Sequence, residues 1–460
     1  MVAPEIRLGN RIRRTDVSSR DTHTHEDTER AAVQRRVAAL LAAVLMAAAC
    51  TGEGEPLDPG PTPTATGAAD LTAPTGAVSV GVATAAGVVV DGAPLGAAPL
   101  RVPTGQVIDW VVGAPLADGR VLWVVVSDVD TALGVVVDAD GEATQVDLGR
   151  WDSARPPTLV VGDDGTWELV DPTGVGGAAS VLVLGDGTVV AVTTDGGLRI
   201  GDDELPGPYL PDAHPVVVDE GRVAVLAGPT DVYGHGVIGD ALEASALHVV
   251  DVARREVTTV LEPEAGRVIE GVTVRVGDVD GDGGGDVVVT TSGAGDGARV
   301  EAWQVDGDQR WIGEALGQDG RWRHVVALTG GASTGAAGDR VIEVVMPHAR
   351  HDVAALVADG DRLVEVATGT LAFGSHAIGS RDMEGAAVAP LLTARDVVGP
   401  SPRRGMVVAR SWDGTAFGDE VVLVDAAPTS NMAAVVADGI RALAVGLADG
   451  DLAIWGGPGR

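Results

Sequence analysis

Across 460 residues the chain sets 66 acidic residues against 32 basic ones, all of them Arg, for a formal charge of −34. Such a surface lacks the clustered cations that neutralise phosphate, which excludes nucleic acid and anionic lipid surfaces and leaves calcium, basic partners or plain solubility. The one cysteine, Cys50, rules out an internal disulfide, so stability has to come from a large hydrophobic core.

Residues 1–36 are polar, with eight Arg and six acidic residues and no sustained apolar period, and read as a disordered or over-long N-terminal extension, with Val33 a plausible start. Arg35-Arg36 then leads into a short apolar run, Val37 to Ala49, ending in small residues before Cys50. A basic flank, a short apolar stretch and small residues make a secretory signal, and the fourteen residues from Val37 to Cys50 fall short of the roughly 20 that span a bilayer. Met46-Ala-Ala-Ala-Cys50 resembles a bacterial lipobox, which implies a lipid on Cys50 and an address on the outer face of the cytoplasmic membrane. Residues 51–76 are a Pro/Thr/Gly tether that buries too little to fold and would hold the following domain off the membrane.

From residue 77 to 460 the pattern is all-β. Apolar runs of four to seven residues, such as Val121-Leu-Trp-Val-Val-Val126 and Val181-Leu-Val-Leu184, alternate with Asp-Gly turns such as Asp118-Gly119 and Asp186-Gly187. The strands group into units near 105–150, 156–204, 212–262, 267–317, 321–370 and 373–426, with 430–456 left over as half a unit. Val78 to Val82 and Val88 to Val90 are expected to complete that half unit and close a ring. The expectation is a single seven-bladed β-propeller acting as a monomer, with eight blades the alternative and a pair of β-sandwiches the competing architecture.

One spacing demands a particular chemistry. In Gly277-Asp-Val-Asp-Gly-Asp-Gly-Gly-Gly-Asp286, Asp278, Asp280 and Asp282 stand at positions 1, 3 and 5 of a loop and Asp286 at position 9, a spacing that gathers carboxylate oxygens around one divalent cation. An EF-hand requires Glu at position 12 and helical flanks. Val289 stands there, and the flanks are β-branched. The stretch resembles the calcium loop of FG-GAP and VCBS repeats, the integrin-alpha-like propeller blades. The resemblance implies one structural calcium held by Asp278, Asp280, Asp282, Asp286 and the backbone of Gly284. The other acidic turns, Asp128 to Asp130, Asp138 to Glu142 and Asp306 to Asp308, read as hairpin turns that need no metal.

Gly331-Ala-Ser-Thr-Gly335 has the spacing of a nucleophile elbow, but a strand pattern resumes at Arg340, so no helix follows and the segment reads as a loop. Tyr233-Gly-His235 and Phe373-Gly-Ser-His376 are two similar loop starts, and His214 and His324 stand at blade starts. His214, His235, His324, His376, Arg381 and Asp382 therefore form a candidate ligand or transition-metal lining, set against the alternative that the histidines fix the blades by hydrogen bonds. No catalytic residue is assigned. The functional expectation is a calcium-stabilised, membrane-tethered propeller binding or scaffolding a protein or polysaccharide; the alternative is a propeller enzyme, a hydrolase or quinone-dependent dehydrogenase with a His-lined channel.

Overall fold

A computed structural model of the chain describes residues 78–81, 84–162, 166–170, 172–330, 338–437 and 439–459. The chain divides into Met1–Ala69 and Asp70–Arg460, and all the described residues belong to the second unit. The N-terminal extension, the signal with Cys50, the tether and the Gly331-to-Gly335 segment lie outside them.

Every regular element among the described residues is a β-strand. Among the described residues the strands group into seven four-stranded antiparallel units, spanning 108–150, 182–205, 216–261, 275–312, 323–369, 387–424 and 428–456 with Leu100–Pro103, and pairings through Arg267–Ile269 and between Ile312 and Arg362 join the third, fourth and fifth into one sheet. Between the first and second of these sits a reduced sheet, the hairpin Leu159–Val161 and Trp167–Leu169. We number these eight units as blades in chain order, the reduced hairpin being blade 2. Asp-Gly turns close many hairpins as their chemistry requires: Gly119 and Gly187 take φ of 84° and 87°, a region that glycine enters without strain.

Apolar contacts run from blade to blade and return to the start. Trp110 and Val124 of blade 1 pack with Leu159 of blade 2. A large cluster continues from Val160 through Val190, Leu226 and Val287 to Trp303, across blades 2 to 5. Further clusters join blades 5 and 6, 6 and 7, and 7 and 8. One more cluster puts Val435 and Ala444 of blade 8 against Trp123 and Val125 of blade 1, which closes the ring. The fold is a β-propeller of seven full blades and one reduced one. The extra position arises because the unit read as 156–204 divides in two.

Closure differs from the expectation. The strand that completes blade 8 is Leu100–Pro103, paired with Asp451–Gly456 and tied by Arg101 to Asp449 at 2.5 Å and Asp451 at 2.8 Å. Val78–Val80 instead pairs with Leu159–Val161, and Val88–Val89 runs parallel to Ala387–Ala389. Between them, Ala85 and Ala86 accept hydrogen bonds from Val276 and Leu328, each at 2.8 Å. All four partners belong to the first strands of blades 2, 7, 5 and 6, so this segment threads the centre of the ring. Gly87 permits the passage: a Cβ on it would meet the Val326 carbonyl oxygen at 2.2 Å. Sequence pattern marked 78–90 as strand-like but carries no record of distant partners, and pairing with four blades satisfies more backbone groups than filling one blade edge.

Candidate functional sites on the two ends of the ring

In an antiparallel blade, the turn between the first and second strands lies at one end. The turn between the second and third strands, and the connection to the next blade, lie at the other. The acidic loop 278–285 joins Arg275–Gly277 to Asp286–Gly293, strands one and two of blade 5, and so marks the first end. Its flanks are strands, as expected.

One carboxylate oxygen from each of Asp278, Asp280 and Asp286 comes within 4.8 Å of the others. Asp286 is fully buried; its Oδ2 accepts from the Val279 amide at 2.9 Å, whereas its buried Oδ1 has no partner. Burial, reinforced by the neighbouring Asp280, Asp282 and Asp278 charges, pushes its acidity up to about 7. An orphaned, buried carboxylate oxygen among acidic neighbours fits a hard cation that takes oxygen ligands. Asp282 lies outside the trio. Its oxygens accept from the Gly284 amide at 2.6 Å and from Gln304 Nε2 at 3.1 Å, so Gly284 enters this structure as a donor to Asp282. Asp339, from blade 6, braces the loop by accepting from the Asp278 amide at 3.1 Å. The remaining acidic turns are engaged within the fold: Asp138 caps the amides of Asp140 and Glu142, Asp130 accepts from Ser153, and Asp306 pairs with Arg222.

The histidines gather at the other end. The loop 231–242 of blade 4 and the connection 370–386 between blades 6 and 7 touch, with the Gly379 amide donating to the Val237 carbonyl at 2.9 Å. Beneath them Val237, Ile238, Val272, Trp322 and Met383 form a small core. His324 stacks on Trp322 at 5.0 Å between ring centres, His348 lies on the same indole at 6.1 Å, and His376 meets its edge at 4.9 Å.

Carbonyl partners fix the tautomers. A carbonyl only accepts, so His324 Nε2–H donates to Met383 O at 3.0 Å, and Nδ1 accepts from Ser375 Oγ at 2.9 Å. His376 Nε2–H likewise donates to Ser380 O at 3.0 Å, leaving Nδ1 to accept from His348 Nε2–H at 3.1 Å. Burial drives all three toward the neutral form: His324 well below the usual range, His376 to about 3 and His348 to about 4. His235 is different. Its Nδ1 is bonded to Glu270, whose other oxygen accepts from Ser292 Oγ, and that carboxylate raises its proton affinity.

The other predicted residues are outside the indole stack, although Asp382 borders a second pocket together with His376. His214 is buried with Nε2 unpartnered and is pushed down to about 4 by burial and then by the Arg275 charge. Arg381 is spent on Asp212 at 2.9 Å and Asp240 at 2.6 Å. Asp382 caps the Glu384 amide at 2.8 Å and is raised to about 6 by burial. Near the ring centre Arg275 pairs with Glu384 at 2.5 Å and reaches the Met383 and Thr84 carbonyls, tying blades 5 and 7 to the threaded segment. Glu270, Arg321 and His348 belong to the histidine end and escaped the sequence reading. His348 sits in the turn between the second and third strands of blade 6, where only knowledge of strand direction shows that it shares an end with the blade starts.

No family model matches the chain, and no curated protein matches it in sequence. Among solved structures it is similar to BamB from Moraxella catarrhalis at 13% identity and a TM-score of 0.40, covering 78% of this chain and 96% of that one. The C-terminal WD40 domain of Sif2 aligns at 10% identity and a TM-score of 0.43 over 78% and 98% of the two chains. The β-propeller domain of Cps50 (Swd1) from Myceliophteria thermophila aligns at 9% and 0.38 over 77% and 99%.

Proposed function

We propose that the chain is an extracytoplasmic binding or scaffolding propeller, tethered through a lipid on Cys50, stapled by one structural calcium in an FG-GAP/VCBS-like loop, and presenting its histidine end to a protein or polysaccharide. The observation that carries the reading is where the large exposed apolar side chains fall. Val129, Val232, Leu242, Leu371 and Ile378 all stand in loops at the histidine end, with Val232 and Ile378 each 73% exposed. Most of the others sit on the outermost strands of blades 4, 6 and 7, and Val436 lies at the calcium end. Apolar residues concentrated on one loop face mark an interaction surface, and they favour a protein over a glycan.

Two further features support binding over catalysis. The threaded segment occupies the centre of the ring, and the ring nitrogens of His324 and His376 are committed to hydrogen bonds. Address and anchor rest on the sequence of residues 37–50. The test is capture from envelope extracts and on glycan arrays by the immobilised full chain. Ile378→Asp is expected to abolish capture, while Val421→Asp, on the outer strand of blade 7, leaves it intact. Capture indifferent to Ile378→Asp, or hydrolytic or quinone-reducing turnover lost on histidine substitution, contradicts the reading.

A further inference from the structure

Under the two touching loops lies a cavity of about 310 Å³, bordered by His235, Arg321, Trp322, Met346, His348 and Ile378. In a chain of charge −34, none of the residues lining it is a carboxylate. Arg321 spends Nη1 on the Gly320 carbonyl at 2.7 Å, yet its buried Nε has no partner and it makes no ion pair among the described residues. Beside a cavity whose lining holds no carboxylate, a guanidinium with one backbone acceptor and no ion pair suits an anionic ligand. His235 stands on the same wall. Glu270 holds its Nδ1 and Ser292 holds Glu270, so the ring is fixed with its Nε2 edge away from the carboxylate. The third feature is flat: His324, Trp322 and His348 form a nearly parallel stack, 10° and 16° between planes, whose outer member lines the cavity.

We infer that this cavity binds a small organic carboxylate with a planar body, the charge meeting Arg321 and His235 and the body lying along the His348 and Trp322 stack. The proposal rests on the binding reading above and specifies a ligand for one pocket of that face. Arg supplies the directional donors that carboxylate geometry wants, and the aromatic wall supplies area without polar demands. Glu270 keeps a proton on His235 above the usual range, which adds to the attraction without placing an acid on the pocket wall.

Isothermal titration of the full chain in calcium-containing buffer, with benzoate, benzamide and acetate as probes, tests this. Benzoate is expected to bind saturably and at least about tenfold more tightly than benzamide, which keeps the ring and loses the charge. Acetate, which keeps the charge and loses the ring, should bind more weakly than benzoate. Arg321→Gln should weaken benzoate by about tenfold or more, and Arg321→Lys by less. If Arg321→Gln does not fold, the Lys variant and the benzoate-induced rise in wild-type melting temperature carry the test. Equal binding of benzoate and benzamide, no saturable binding, or benzoate affinity unchanged in both Arg321 variants overturns the proposal. Macromolecular capture that persists and still depends on Ile378 while benzoate fails overturns the pocket assignment alone.

Discussion

Asp286 and Asp396 occupy the same place in their blades, the first residue of the second strand, and are satisfied in different ways. In blade 7 the chain does the work itself: the amides of Leu391, Leu392 and Thr393 and the Thr393 hydroxyl all donate to Asp396. In blade 5 the corresponding turn is acidic, and one Asp286 oxygen is left without a donor. In the proposed reading, a cation would supply there what three amides and a hydroxyl supply in blade 7. Glu243 is a second buried acid, raised to about 9 by burial and then by the nearby Glu270 charge. Because its folded acidity lies above the ordinary value, its protonated form is favoured by folding. Its contribution is complete below the ordinary carboxylate range and is lost as pH rises through about 9. Glu243→Gln keeps the neutral shape at every pH, so its melting temperature should increasingly exceed the wild type's between pH 5 and pH 9. The difference should grow by at most about 1.4 kcal/mol per pH unit. Parallel melting curves across that range would contradict the assignment.

Strands were legible from the sequence because each carries its own pattern. Val121–Ser127 and Arg340–Val345 are apolar runs set between Asp, Gly or Pro turns, and burial on both faces explains why such runs are continuous.

 Val407–Trp412 follows the same pattern. Which strands meet was not legible. Residues 78–90 have the composition of an edge strand, yet they thread the ring, and Leu100–Pro103, with only four residues and a proline, closes it. Partners far apart in sequence leave no local trace. Gly87 is the tightest point of the threaded segment, so Gly87→Val should lower the melting temperature by several degrees, both through the clash with the Val326 carbonyl and through its φ of 80°. A variant that melts with the wild type would show that the segment does not hold the ring together.

For the whole molecule, the acidic loop and the histidines differ in how much the sequence could reveal. Asp278, Asp280 and Asp286 lie within nine positions, so spacing alone brings them together; Asp282 shares the spacing but turns to Gln304, a contact from the neighbouring strand that spacing cannot show. The histidine end draws on residues from 235 to 376, and its assembly depends on ring closure and strand direction. The ring itself joins the first blade to the last, so the proposed calcium staple in blade 5 and the closing strand of blade 8 would act on one ring. The central claim is that a calcium ion is part of that structure. Its most direct test is metal analysis of the full chain together with thermal melting in calcium and then in excess chelator, with Asp280→Ala alongside. The account predicts about one calcium per chain, a melting temperature several degrees lower in chelator, and a variant that melts low in calcium and responds little to chelator. A chain that carries no calcium and melts at the same temperature with and without chelator would contradict it.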